Sequence, residues 1–510
     1  MTSIDRASPI PIYHQLKMLI RERIKSGVWG PGDRIPTERE LCHMYNISRS
    51  PVRQALNQLA REGVLTRRPG LGTFVANHVS AEASREVSLR MMCSDPHWPA
   101  VLEHVSRVWN ERCLEPRVAF DTDVVPHSEF YEVLSSAVGK GSAPDLAMVD
   151  TVGVAGLADS GFLFALDELG FPRNRSELGE ALYHVFVDAN SLEGRLYGLP
   201  VKADASLLWY RQDWFTQEEM ASPKNWDDLL DVSLHFLQPA VKERLGLEYP
   251  LAFPGGMTGG EGTVYSLLPF IWSAGGQIID ADARRVVLDS PETSSALRFL
   301  RQLVYRHGVA SPDVVNDEDN TSLRLFAEGK VAMALGGSYE AELIQSAAGW
   351  SDVEFTNRVG VAPPPAPVGR DSVPTIGGTS YVVLRQSKSP ALAAEVLKVA
   401  TDPDVLGDLY RSMWLNLPSP ASGAMLDLET NPLLDQVSEM VARGRARPSI
   451  PEYVKVSRQL QAMFQATISR DDPVEQIVRR TTEFISVITE LPCQSAQSST
   501  IPFQAIGASS

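Results

Sequence analysis

Cysteine is scarce. Four residues in 510, Cys42, Cys93, Cys113 and Cys493, show neither the short paired spacing of a zinc site nor the density of a disulfide framework. That usage excludes a stapled secreted scaffold and fits a reducing compartment. No run of about eighteen apolar residues occurs, so a membrane-spanning helix is not expected. The opening MTSIDRASPIPIYHQL lacks a positively charged start followed by an apolar stretch, which argues against export. No phosphate-binding glycine loop, metal-ligand cluster or nucleophile with a nearby base stands out, and there is no internal repeat or long low-complexity tract. No catalytic residue, cofactor or metal is therefore expected.

What is present is a polarised charge. The chain carries −16 overall, yet residues 1–80 hold 12 Lys and Arg against 6 Asp and Glu, while the other 430 residues hold 35 against 57. A basic head attracts a polyanion that an acidic remainder repels, so contact with nucleic acid is expected at the head alone. At this length several packed units are expected, and 44% hydrophobic residues is the usage of soluble globular chains.

Residues 34–75 give the head a shape. Thr37 and Glu40 have the spacing of a capping box at a helix start, followed by the apolar stripe Leu41, Met44 and Tyr45. Cys42 sits on that helix near the core. Asn46 and Ile47 make a short turn, Ser48 caps a second helix, and Pro51 falls in its first turn, where a missing donor is harmless. A 3.6-residue period turns Val52, Ala55, Leu56 and Leu59 inward and Arg49, Ser50, Arg53 and Asn57 outward. Gly63 stops this helix, and residues 64–66 and 73–75 then flank a basic glycine-containing tip, as the strands of a wing. An earlier helix over 11–26, with Ile12, Leu16, Leu19, Ile20 and Ile24 on one stripe and Gly27 as its stop, is expected to pack beneath the other two.

The strings PIYHQL, GVWGPGDRIPTERELC, ISRSPVRQAL and LAREGVLTRRPGLGTFVA make residues 11–75 similar to the winged helix-turn-helix domain of the GntR family of bacterial transcription regulators. The resemblance implies that Arg39, Arg49, Arg53 and Gly70 touch double-stranded operator DNA, and that the protein binds as a homodimer to a near-palindromic site. Guanidinium forks can take guanine O6 and N7 or clamp phosphates, and a glycine lets wing backbone approach the sugar-phosphate surface. Ser50 is a further base or phosphate contact, and Arg67 and Arg68 are candidates for nonspecific phosphate contacts.

Residues 1–77 are thus read as a DNA-binding domain and 78–86, small and polar, as a linker. From Val87 the pattern alternates as strand VSLRMM, a helix over 104–112, strand RVAFDTDVV, a helix over 128–138 and strand DLAMVD. That is the signature of a mainly parallel α/β sheet. The loop expected over 150–153 would lie at the carboxyl edge of the sheet, as a ligand site or a plain connection. RLYGLPV and SLLWY read as two strands around a short polar loop.

LYGLPV, WYRQDWF, the Pro223-x-x-Trp226-x-x-Leu229 helix start, FAEGKVAM and IGGTSYVVLRQSKSP, in that order, resemble the sugar-binding type of solute-binding protein that serves bacterial ABC importers. The resemblance implies a type II periplasmic-binding-protein-like domain over 87–491, two α/β lobes that close on a small solute, and a disordered tail over 492–510. A DNA-binding head stands where exported members carry a signal peptide, so a cytoplasmic sensor is expected in place of a transport role. A sugar needs aromatic faces and short polar groups, and Asp150, Asp204, Trp272, Ser338, Tyr339, Gly378 and Trp414 are candidates from their places in these motifs. Trp209, Trp214 and Trp226 read as packing residues. An acidic surface would equally suit a polyamine. Two rivals remain open: a solute-binding module whose head only tethers or dimerises it, and a MocR-like aminotransferase domain. The latter needs a Schiff-base lysine, for which only QSKSP offers a passing likeness.

Overall fold

The computed structural model describes residues 12–61, 64–68, 71–76, 86–112, 116–173, 184–280, 282–318, 320–402, 432–469 and 472–493, with Ile4 and Val405. The expected linker, apart from Glu86, and the tail beyond Cys493 lie outside these residues, as do Gly70 and Trp414.

The head consists of α1 (Ile12–Lys25), α2 (Glu38–Tyr45), α3 (Arg49–Arg61) and the hairpin β1 (Leu65–Arg68) and β2 (Gly72–Val75). The capping box forms as its spacing requires: the Thr37 amide donates to Glu40 Oε2 at 2.7 Å, and the Glu40 amide donates to Thr37 Oγ1 at 3.3 Å. Asn46 takes a left-handed conformation, φ 51°, and so ends α2 within one residue. Leu16, Ile20, Leu41, Val52, Leu56 and Leu59 meet in one core, each at most 1% exposed. Each such aliphatic side chain contributes about 1.5–3 kcal/mol on burial. The hairpin is antiparallel, with Leu65 opposite Val75 and Arg68 opposite Gly72.

The chain divides into two compact units, residues 1–148 with 383–409, and residues 149–382 with 410–510. In the first, beyond the head, β3 (Glu86–Cys93) lies parallel to β4 (Arg117–Val124) along its whole length and to the start of β5 (Leu146–Asp150). Helices α4 (Trp98–Glu111) and α5 (Phe130–Gly139) make the connections. α4 begins six residues before the expected start at 104. Pro99 occupies its first turn, and Trp98, Val101, Leu102, Val105 and Trp109 form its buried stripe.

Two expectations fail in the second unit. Residues 150–153 are not a loop: the Asp150 side chain accepts from the Val152 amide at 3.1 Å and caps α6 (Thr151–Asp159) directly. Nor is there a loop between RLYGLPV and SLLWY, because β6 (Leu199–Arg211) is one uninterrupted strand. Lys202 and Asp204 are half-buried, as is Tyr210 further on, and they alternate with buried Ala203 and Ala205, which is strand periodicity.

β6 is the spine of this unit. Its first half pairs antiparallel with β10 (Thr375–Val383), Asp204 opposite Gly377, and its second half pairs with β8 (Val331–Gly337) and β9 (Val359–Ala362). β7 (Tyr249–Ala252) lies parallel to β8, and the short β11 (Arg445–Ala446) to the start of β10. Of the tryptophans read as packing residues, Trp209 is fully buried and Trp226 stacks on Phe299 with centroids 4.5 Å apart. Trp214 packs on the core beneath the Arg211 guanidinium, 3.8 Å from its ring centroid. No helix among the described residues is long and apolar enough to cross a membrane.

Candidate DNA-reading face and solute site

The amino end of α3 presents its polar face outward. Arg49, Ser50, Arg53, Gln54, Asn57 and Gln58 line a shallow concavity together with Tyr13. The Arg49, Arg53 and Arg67 side chains are 70%, 57% and 39% exposed, and Arg39 is exposed as well. All three of the former turn toward one carboxylate. Arg49 Nε donates to Glu38 Oε2 at 3.3 Å, Arg53 Nη2 to the same oxygen at 3.5 Å, and Arg67 Nη2 lies 3.7 Å from Oε1. Surface ion pairs of this kind are worth at most about 1 kcal/mol each, and they leave the exposed guanidinium groups accessible to a phosphate or a base edge. Arg68 lies over the Phe74 ring at 4.9 Å, which holds the base of the wing.

Gly72 was not among the expected wing contacts, and the structure explains its presence. It has φ +124°, and a Cβ there would stand 2.8 Å from Arg34 Nε. Arg34, between α1 and α2, bridges to Phe74 and so lies against the wing.

The second unit gathers polar side chains on one face of α7 (Gly260–Ala274). Glu261, Tyr265 and Trp272 share that face at helical spacing. Tyr265 donates its hydroxyl to Asp204 Oδ1 and meets the ring of Tyr339 edge-on, centroids 5.9 Å apart. Over the Tyr265 ring, at 5.2 Å, lies the guanidinium of Arg447, which is only 3% exposed. Arg447 Nη1 donates to Glu261 Oε1 at 2.7 Å, and Nη2 is 3.5 Å from Asp150 Oδ1. Glu261 also accepts from the Tyr453 hydroxyl at 2.7 Å and from Ser457. Gly377 makes the gathering possible, since a Cβ there would stand 2.8 Å from both Arg447 Nη2 and Asp204 Oδ1.

Electrostatics follow from this burial. Desolvation raises the Asp204 carboxyl to about 6, and the Asp150 charge adds to the rise, while Tyr265, Arg447 and Lys202 oppose it. Burial and the neighbouring Asp204 push the Tyr265 hydroxyl well above its ordinary range. For Arg447 burial works against the charge, but Asp150 and Glu261 outweigh it and hold the proton more firmly.

Of the expected solute residues, the structure thus joins Asp150, Asp204 and Tyr339, the last 41% exposed. Ser338 is buried beside them, its Oγ accepting from the Ala205 amide at 3.2 Å. Trp272 belongs to the apolar core at 5% exposure, with Arg445 over its ring at 5.6 Å. Gly378, at φ +146°, is demanded by the Lys202 carbonyl against which a Cβ would press. Tyr265, Glu261, Arg447, Tyr453 and Ser457 were missed. Glu261 and Tyr265 lie in a stretch that reads as an apolar helix, and only their i, i+4 spacing signals a shared face. Among the described residues no group of three His, Cys, Asp or Glu side chains could hold a metal. Lys388 of QSKSP is exposed, its amide donating to Asp145 Oδ1 at 3.1 Å.

Residues 105–406, more than half of the chain, match the family of bacterial extracellular solute-binding proteins, and residues 12–75 match the gntR family of bacterial regulatory proteins. Over 82 residues, 16% of the chain, the sequence is 46% identical to the histidine utilization repressor of Klebsiella aerogenes, and it spans about a third (34%) of that relative's length. A binding protein of Brucella abortus is 25% identical over 347 residues, 67% of this chain and 79% of that one. The crystal structure of an ABC transporter solute-binding protein from Thermotoga lettingae, bound with α-D-tagatose, superposes with a TM-score of 0.67 at 22% identity. It covers 80% of this chain and 100% of that one, and so shares the type II periplasmic-binding-protein-like fold.

Proposed function

The chain belongs to the bacterial extracellular solute-binding protein family and carries a GntR-type winged helix at its head, and on that premise we propose that it is a cytoplasmic, solute-responsive regulator of transcription. One observation carries the reading: an outward arginine face on a winged helix and a polar, tyrosine-lined site on a solute-binding fold occur in a single chain. The head reads operator DNA with Arg39, Arg49, Ser50 and Arg53 in the groove and Arg67, Arg68 and Gly70 on the backbone. A homodimer doubles these contacts over a near-palindromic site.

The solute is a sugar or oligosaccharide. Asp150 and Asp204 offer acceptors to its hydroxyls, the exposed Tyr339 offers a ring to its C–H faces, and a sugar-bound protein of the same fold supports the class. Binding changes operator affinity only so far as the solute prefers one arrangement of the protein over the other. No catalytic step is part of this reading, and an exposed Lys388 does not favour pyridoxal chemistry.

The test is a thermal-shift screen of mono- and oligosaccharides, polyamines and amino acids, followed by a mobility-shift titration with the hit. A sugar that raises Tm and changes operator affinity is the expected result. A tight ligand that leaves operator affinity untouched sinks the sensing model, and a polyamine hit corrects the solute class. Footprinting upstream of the protein's own gene separates regulation from mere tethering, which would protect nothing.

A further inference from the structure

A carboxylate at the centre of a surface that faces phosphates is a cost to every contact with DNA, since it subtracts charge where charge gives affinity. Glu38 occupies that centre, 3.3 to 3.7 Å from Arg49, Arg53 and Arg67. Resting on the reading that the head binds operator DNA, we propose that Glu38 is the positioning residue of the reading face: it fixes the arginines for base contact and trades general attraction to phosphate for discrimination between sequences.

Its own base is rigid. Glu38 is the first residue of α2, directly after the Thr37 and Glu40 capping box, and its side chain is only 22% exposed. The three arginines come from two elements, α3 and the wing strand β1, so one carboxylate joins the recognition helix to the wing. Without it, three like charges repel and three long side chains sample their rotamers independently. Arg49 engages through Nε. That leaves both terminal nitrogens for the parallel pair of bonds a guanine edge accepts. The rival is a purely local role, in which an acid in the first turn only favours the helix dipole. That role predicts a change in stability and none in specificity.

The full-length protein and its Glu38→Gln and Glu38→Asp variants decide the matter on two probes: duplexes enriched by the wild type from a random-sequence library, and poly(dI-dC). Glu38→Gln is expected to lose about tenfold on the enriched duplexes, the scale of one misplaced bidentate contact. On poly(dI-dC) it is expected to gain affinity, with a salt slope steeper by about one counterion. Glu38→Asp keeps the charge but not the reach, so it weakens the enriched duplexes and leaves poly(dI-dC) unchanged. If Glu38→Gln keeps the wild-type ratio between the two probes, the proposal is overturned. Should that variant unfold the head, seen as loss of helical signal, the ratio measured for Glu38→Asp decides in its place. A wild type that enriches no sequence overturns the DNA-reading function itself, and this inference with it.

Discussion

Asp204 is a residue whose surroundings set its chemistry. Its carboxyl titrates near 6 in the fold, against about 4 in an unfolded chain. The folded state therefore holds the proton more tightly, so the associated stability is fully present below about pH 4 and is lost as pH rises through about 6. Asp204→Asn stays neutral, and it is expected to flatten the fall of Tm between pH 4 and 6.5 and to raise Tm at pH 7.5 relative to the wild type. Asp317, raised to about 6 by burial and the nearby Asp313, is the control. Asp317→Asn should flatten the same profile while keeping the solute-induced shift, whereas Asp204→Asn should diminish that shift. At Gly377 the prediction is steric. Gly377→Ala forces Arg447 and Asp204 apart, with an expected loss of about 1–3 kcal/mol in calorimetry and of the solute response in the thermal-shift assay.

Among the elements, α2 shows how far local chemistry reaches. Thr37→Ala removes the cap that accepts from Glu40 and should cost about 1 kcal/mol, seen as faster hydrogen exchange over residues 38–45. In the wing, replacing Arg67 and Arg68 by alanine should lower the slope of log affinity against log salt by about one to two, without changing which sequence is preferred. The head was legible because its signals are local: a cap four residues long, a stripe at 3.6-residue spacing, a basic tip between two short strands. β6 was not legible. Lys202 and Asp204 look like a polar loop until the alternation of buried Ala203 and Ala205 is matched to residues 375–381, far along the chain. The candidate solute site was not legible for the same reason. Asp204 and Tyr265 stand 61 positions apart, Glu261 and Arg447 186 apart, and Trp272 resembled a stacking residue because its burial depends on neighbours that a linear reading does not supply. Asp150 and Tyr339 could be picked because each lies at the end of a strand, Asp150 closing β5 and Tyr339 two residues beyond β8.

At the level of the whole molecule, charge and fold separate two tasks. The basic head and the acidic remainder predict that Arg49→Ala and Arg53→Ala abolish sequence-specific binding in a mobility shift, yet keep the full ligand-induced rise in Tm. Loss of both in a still-folded protein would contradict that separation. Mechanically, β6 is what ties the larger unit together. Thirteen residues run without a break, clamped over 199–205 to β10 and over 206–211 to β8 and β9. A kink at its middle would open hydrogen bonds on both flanks at once. Asp204 and Tyr210, about 20 Å apart along this one strand, thus answer to different partner strands, so a solute held at Asp204 acts on the element that joins both sets.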